Sequence, residues 1–453
     1  MRRTTPAVAT TLAALLLAGC GWGGDGKADG EHGGRGSGGS APPSLAKLAV
    51  PSGYEADHGW DEELGWVPPD VPPPVAVAGK SGVVAYVTQS GEGYAVRART
   101  AAGGKVRWTS AAFRTPTSMA EADEVIYNDD AGIPQVTTVE QDGREYVAVW
   151  AHGVVKGDAV TKDKEIVQVD AYAADASGVS VKPLRRVRVP ADDVDGGTLD
   201  IRDGGDGLLI TWRNIGYHGA SVDLATGTVT RYDEPDTLMP ECDGGGCSYS
   251  RVVGVTSRGP LIGTANGFGV PREWSGTDFV PKEADKSAKG TVSGVRGDLF
   301  VARWPAAGDS DAFVFSAHDT DSGRLLASMT CGGGLEDQKK GKYDTVTSTN
   351  GRYVAYGTVV FDLKTGKGLC LEGDEDRRSV VIRHLRDDGI AYGVAAVVGD
   401  DKPGVEVRVS GGAPKALAAG TVLPHGVLDG SGLFVTGGDE GATGRLLSVR
   451  QES

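Results

Sequence analysis

One hydrophobic rhythm recurs eight times along the chain and limits the fold more than any other feature. A polar turn carrying glycine precedes a short run of β-branched and aromatic residues. The runs are Val83–Val87, Tyr146–Trp150, Leu208–Trp212, Pro260–Gly263, Leu299–Trp304, Tyr353–Tyr356, Ile390–Gly393 and Leu433–Thr436. Their turn glycines are Gly82, Gly143, Gly207, Gly259, Gly297, Gly351, Gly389 and Gly432, with a mean spacing of about 50 residues. Runs this short, bounded by turn residues, read as β-strands. One small sheet cannot bury both of its faces, whereas sheets stacked radially bury them against each other. The period therefore predicts an all-β chain folded as a β-propeller of four-stranded blades.

A second motif falls between these runs. Asp223-Leu-Ala-Thr-Gly227, Asp319-Thr-Asp-Ser-Gly323 and Asp362-Leu-Lys-Thr-Gly366 share Asp-x-x-Thr/Ser-Gly, and residues 99–108 carry a looser copy. Aspartate bonds to the backbone inside such a turn, and glycine supplies the positive φ. The motif resembles the repeat of pyrroloquinoline-quinone-type, WD40-like propellers over most of residues 75–450. Each unit then reads as strand a, turn, strands b and c, Asp-x-x-Thr-Gly turn, strand d. Eight blades follow, with seven as the alternative because the second unit is irregular. That unit carries about 28 residues between Trp108 and Val136 that fit neither pattern, and a polar insertion at residues 156–164. The last unit supplies only three strands. Residues 45–67, with Tyr54, Trp60 and Trp66, are the predicted fourth, so that the N- and C-terminal strands close the ring.

Residues 1–19 read as an export signal. Arg2 and Arg3 precede an apolar stretch too short to span a bilayer. Leu17-Ala-Gly-Cys20 matches all four positions of the bacterial lipobox, and the resemblance implies a lipoprotein diacylated on Cys20. Two acyl chains on one residue give lasting attachment. Residues 20–44, rich in Gly, Ser and charge, are a flexible tether with a reach of roughly 25 Å. Residues 45–453 form the propeller domain. The expected location is the extracytoplasmic face of the cell membrane, with the lipid on Cys20 as the membrane partner.

Seventy glycines in 453 residues are about twice the usual share, as many tight turns require. The formal charge of −15 argues against nucleic acid as a partner. Four cysteines remain after Cys20, an even number in an exported chain. The expected disulfides are Cys242–Cys247, around a tight glycine-rich ring, and Cys331–Cys370, between the outer strands of blades five and six. A four-cysteine metal site is the alternative, although zinc sites favour two close pairs.

Trp150, Trp212 and Trp304 fall near the same end of strand b in three blades. They form either a ligand-binding aromatic rim or packing between blades. Asp192, Asp193, Asp195, Asp200, Asp203 and Asp206 cluster without the phase of a calcium loop and read as solvated turns. The seven histidines show no metal-binding spacing, and neither a nucleophile elbow nor a phosphate loop occurs. The adjacent cysteine pair of the quinone dehydrogenases is also missing. No catalytic residue, metal or cofactor is expected. The sequence reads as a membrane-anchored, non-enzymatic binding or scaffold module for a protein or cell-envelope partner. The alternatives are a quinone- or metal-dependent oxidoreductase, a polysaccharide-acting enzyme, or a glycan or small-ligand sensor.

Overall fold

The computed structural model describes residues 45–453 except 69–70, 92, 119–131, 195–196, 234, 236–237, 240–249, 288, 333–342, 397–401 and 438–443. Cys20, Cys242 and Cys247 lie outside the described residues. Seven antiparallel sheets follow in chain order, spanning 75–110, 135–190, 200–232, 251–275, 291–332, 345–370 and 380–416. The eighth combines Gly426–Leu428, Ser431–Thr436 and Arg445–Glu452 with Tyr54–Leu64 from the other end of the chain. The molecule is thus an eight-bladed β-propeller, closed as the sequence predicts. The inner strands of successive blades approach one another around the ring, including Val75–Ala78 of blade 1 against Gly426–Leu428 of blade 8.

Turn chemistry sets the repeat. Seven of the eight predicted a–b turn glycines adopt positive φ; in blade 8 that residue is Gly430 (φ 67°) instead of Gly432, which lies one step into strand b. In the c–d turn of blade 3, Asp223 Oδ1 accepts from the N–H groups of Ala225 (2.8 Å) and Thr226 (2.9 Å), while Gly227 takes φ 82°. Asp319 accepts from Ser322 N–H at 2.9 Å in blade 5, and Asp362 from Lys364 N–H at 3.0 Å in blade 6.

Apolar residues of facing sheets fill the spaces between blades. Trp108 of blade 1 stacks on Tyr172 of blade 2 with ring centroids 5.3 Å apart, and its indole N–H donates to Ala174 O. Between blades 4 and 5, Phe268, Trp274, Phe300 and Trp304 form a continuous aromatic cluster. Cys331 and Cys370, on the outer strands of blades 5 and 6, are joined in a disulfide with Cα atoms 5.6 Å apart.

The irregular second unit has two structural roles that its sequence hides. Gly178–Val181 pairs in parallel with Val106–Ser110, adding a fifth strand to the outer edge of blade 1. Residues 109–118 pack into the body: Phe113 is fully buried and bridges Tyr94, and Thr117 bridges Val154. This segment belongs to the scaffold.

Ring closure rests on the pairing of Tyr54–Leu64 with Arg445–Glu452. Gly59 (φ 147°) crosses so close to this partner strand that a β-carbon would lie 1.8 Å from Val449 O, so only glycine fits. Arg450 is fully buried between the strands and pairs with Asp61 Oδ1 at 2.7 Å. Nη1 also reaches Val449 O (3.0 Å) and Nη2 reaches Ala46 O (3.1 Å), while the Nε–H has no partner among the described residues. Burial alone would raise the Asp61 carboxyl, but Arg450 and the Ala46 N–H outweigh it and hold the group below its usual value.

Two outcomes follow. Asp61→Ala strands a buried guanidinium and is expected to cost about 3–5 kcal/mol in chemical denaturation, part of it recovered when Arg450→Met is added. An unchanged denaturation midpoint would remove this pair from ring closure. Peptide mapping without reductant should recover Cys331 and Cys370 linked. Their replacement by serine should cost about 4 kcal/mol by the chain-entropy argument for a loop of this length.

Candidate functional site: the central channel

The inner strands enclose a channel with a cavity of about 690 Å³, within the size range of small-molecule sites. Its wall comes from seven of the eight blades, and its charged lining is unevenly distributed. Antiparallel alternation puts every a–b and c–d turn at one end of the ring. There Asp142, Asp206, Asp223, Asp298, Asp319 and Asp321 crowd together. Burial, followed by the field of Asp142, Asp321, Asp223 and Asp298, raises the Asp206 carboxyl. Burial and Glu140, Asp321 and Asp319 raise Asp298 in the same way. These turns also hold the blades together: the N–H groups of Lys80 and Ser81 donate to Glu145 at 3.1 and 2.6 Å, and Lys80 Nζ pairs with Glu140.

Along the wall both signs occur, with Asp203 and Asp344 as well as Arg296 and Arg383. Asp203 is almost fully buried, accepts from Gly205 N–H at 3.0 Å and faces Arg296 at 3.8 Å. Burial raises its carboxyl, and Arg296 opposes that rise. Beside Asp203 in the inner strand of blade 3, Arg202 pairs with Asp200 and donates to Val253 O of the next blade at 3.0 Å. Burial, then the positive charge of Arg251, lowers its guanidinium, while Asp344 acts in the opposite sense. Arg383, His384 and His425 line the wall at blades 7 and 8. Burial first, then His425 and Arg383, pushes the His384 imidazole down to about 3. Burial also lowers His425.

The three tryptophans named from the sequence do not meet. Trp304 (1% exposed) and Trp212 (2%) lie in different interblade cores. Trp212 is sandwiched by His218, stacked at 5.6 Å, and by the Arg231 guanidinium at 5.3 Å. Half-buried Trp150 packs at the edge of the cluster between blades 2 and 3 and donates to Thr137 Oγ1 at 3.1 Å. Trp212 and Trp304 are buried in packing between blades, the second role weighed for them, and Trp150 keeps part of its surface exposed. Of the acidic run, Asp203 enters the channel wall, Asp206 joins the carboxylate collar, and Asp195 lies outside the described residues.

A serine–histidine pair went unnoticed in the sequence because Ser316 and His318 match no motif. Ser316 Oγ lies 2.8 Å from His318 Nε2, the spacing of a nucleophile and its base. His318 Nδ1 lies 2.9 Å from Gly323 O, which only accepts, so the proton sits on Nδ1 and Ser316 donates to Nε2. Trp304 Nε1 in turn donates to Ser316 Oγ at 2.8 Å. All three residues are sealed inside blade 5, with His318 stacked on Phe300 at 4.8 Å. No substrate reaches them. The chain is a satisfied structural network, and its burial pushes His318 down to about 4.

Among the described residues, two groups hold three potential metal ligands. Cys331, Cys370 and Glu372 include the disulfide, and Glu55, Asp57 and His58 sit on an outward bulge of the closing strand. No protein-family model matches the sequence, and no curated protein does. Solved propellers align across the fold. The Cps50 (Swd1) β-propeller domain from Myceliophteria thermophila shares 11% identity, over 71% of this chain and 92% of that one, at a TM-score of 0.35. The Dos1 propeller shares 12% over 71% and 93%, at 0.31. The propeller domain of the Pyrococcus furiosus Trilobed protease shares 12% over 67% and 91%, at 0.30. Likeness of this degree assigns neither a family nor an activity.

The buried histidine generates a pH dependence. An unfolded imidazole titrates near 6.5, whereas folded His318 does so at about 4, so the unfolded chain takes up the proton first. Its contribution to stability is complete above roughly pH 6.5, declines as pH falls and is exhausted near 4, on the order of 3 kcal/mol in all. His318→Asn should flatten this part of the stability–pH curve relative to the parent, measured by urea denaturation between pH 7 and 4. Titration of His318 by NMR near 6.5 in the folded protein would refute it.

Proposed function

We propose that this chain is a lipid-anchored, extracytoplasmic propeller that acts as a binding or scaffold module. The observation that carries the binding role is the channel. A closed, rigid ring surrounds a small-molecule-sized cavity lined by charges of both signs, while the one described serine–histidine pair is walled off from it. The anchor rests on Leu17-Ala-Gly-Cys20 and the export signal before it. Among the described residues, no helix is long and apolar enough to cross a membrane.

The hairpin of blade 2 is the favoured surface for a protein or cell-envelope partner. Its strands, Arg144–Val155 and Lys164–Ala173, outrun the corresponding pairs of neighbouring blade 3. At the tip Asp158 Oδ1 accepts from the N–H groups of Val160 and Thr161, both at 2.9 Å, and Lys156 pairs with Asp163 at 2.9 Å. The turn is therefore ordered, and it holds Val160 90% exposed. Loops on a rigid scaffold are where binding usually sits.

Two tests separate the parts of this reading. Cys20→Ala should move the protein out of the membrane fraction or leave its signal uncleaved; unchanged fractionation and mass would overturn the anchor. Replacing residues 157–162 with a two-residue turn should leave the denaturation midpoint within about 0.5 kcal/mol, as expected for an exposed tip. It should also abolish co-purification of whatever protein or envelope fragment the intact chain retains from detergent-solubilised membranes. Undiminished capture would remove this loop from the interface.

A further inference from the structure

Basic side chains gather in one sector of the channel although the chain has 61 acidic residues against 46 Lys and Arg. Arg383 and His384 belong to the inner strand of blade 7 (Val380–Leu385). His425 immediately precedes the inner strand of blade 8 (Gly426–Leu428). All three line the cavity. The register of blade 7 slips between Ile382 and His384, which pair with Gly393 and Tyr392, so Arg383 is the extra residue of a bulge. Bulges re-aim side chains, and Arg383 is exposed to the channel. Among the described residues no carboxylate lies within the 4.0 Å ion-pair distance of its guanidinium. Neither imidazole has a hydrogen-bond partner for its ring nitrogens among the described side chains.

The other charges along the wall are engaged differently. Lys80 is held by Glu140, and Arg296 faces Asp203 at 3.8 Å. Glu145 is occupied by two backbone N–H groups. Asp298 and Asp344 also line the wall, and the sector at blades 7 and 8 holds one unpaired guanidinium beside two imidazoles that have no described side-chain partner. Each neutral imidazole carries one N–H donor, and the guanidinium presents a planar fork of donors. A planar or tetrahedral oxyanion accepts several such bonds at once, and charge-assisted bonds to arginine are among the stronger ones. At the turn end the carboxylate collar repels an anion, so an anionic group that enters the channel is driven toward blades 7 and 8.

We propose that Arg383, His384 and His425 form a subsite for the carboxylate or phosphate group of a small ligand held in the central channel. This names the ligand chemistry for the binding-module reading and depends on its binding role, but not on the lipid anchor or the blade 2 hairpin.

The test uses the purified full chain in detergent, titrated calorimetrically with inorganic phosphate and, separately, with succinate in a low-salt buffer. One site per chain is expected for at least one of the two anions. Arg383→Gln should weaken it about tenfold or more, His384→Gln should weaken it less, and Arg383→Lys should restore part of the loss. Arg188→Gln, on the exposed outer strand of blade 2, should leave it unchanged. Binding of phosphate alone identifies a phosphate-bearing ligand, and binding of succinate alone a carboxylate. The subsite is overturned if neither anion binds at 10-millimolar order. It is equally overturned if Arg383→Gln, folded by circular dichroism, binds as tightly as the parent, which would place the anion elsewhere. Loss of membrane attachment in the Cys20→Ala protein would leave this result untouched, so failure of the anchor and failure of the subsite are read independently.

Discussion

The pairing of two distant segments, Tyr54–Leu64 and Arg445–Glu452, makes the rest of the structure possible. An open ring would leave two unpaired sheet edges and a channel wall free to splay. Closure is secured by groups that are costly to misplace. Arg450 has no exposure to water and meets a carboxylate and backbone carbonyls only when both strands are in register. Next to it, Arg386 from the inner turn of blade 7 donates to Gly53 O (3.1 Å) and Glu452 Oε2 (3.0 Å), and its guanidinium lies 5.3 Å from the Tyr54 ring centre. The latch therefore ties blade 7, the closing strand and the last strand together. His425 and the inner strand of blade 8 line the channel beside Val77 of blade 1, so the channel's shape depends on this seam.

The architecture was legible because a propeller repeats its local instructions. Turn glycines and Asp-x-x-Thr-Gly segments act over a few residues, and periodic recurrence makes each copy evidence for the others. Where local signals conflict, the reading slipped by a residue or two. Gly432 looked like the turn of blade 8 because it precedes Leu433–Thr436, yet Gly430 takes the positive φ. The apparent insertion after Trp108 was harder. Phe113 is one apolar residue in a polar stretch, and only tertiary structure reveals that it completes the space beside Tyr94. A parallel fifth strand from Gly178–Val181 leaves no periodic trace at all.

The channel was not legible for a physical reason. Its lining runs from Val77 to Val427 and takes a few residues from each contributing blade, so no spacing rule connects Arg296 to Asp203 or Arg383 to His425. The tryptophans gave the opposite lesson. They stood out because they recur at one position of strand b, but recurrence in a repeat fold reports the shared packing demand of every blade. Trp304 shows this most clearly: its indole N–H begins a hydrogen-bonded chain through Ser316 and His318 that leaves every polar atom of the path paired inside an aromatic core.

The same accounting separates the buried polar groups that serve the fold from those that do not. The Trp304–Ser316–His318 chain pairs each of its polar atoms within the protein, and Asp61 offsets much of the cost of burying the Arg450 guanidinium, whose Nε–H has no partner among the described residues. The channel groups do not close their accounts in this way. Burial first, and like charges after it, raise Asp206 and Asp298 and lower His384. Each of these placements opposes the charged state that the group would adopt in water. A fold needs none of them, because neutral polar residues such as the neighbouring Thr347 and Ser348 line the same wall without repulsion. Titratable groups shifted by burial and like charge and gathered about a cavity are what the proposed binding role calls for. On the proposed reading, the Arg383 sector at blades 7 and 8 would orient an anionic occupant as well as hold it.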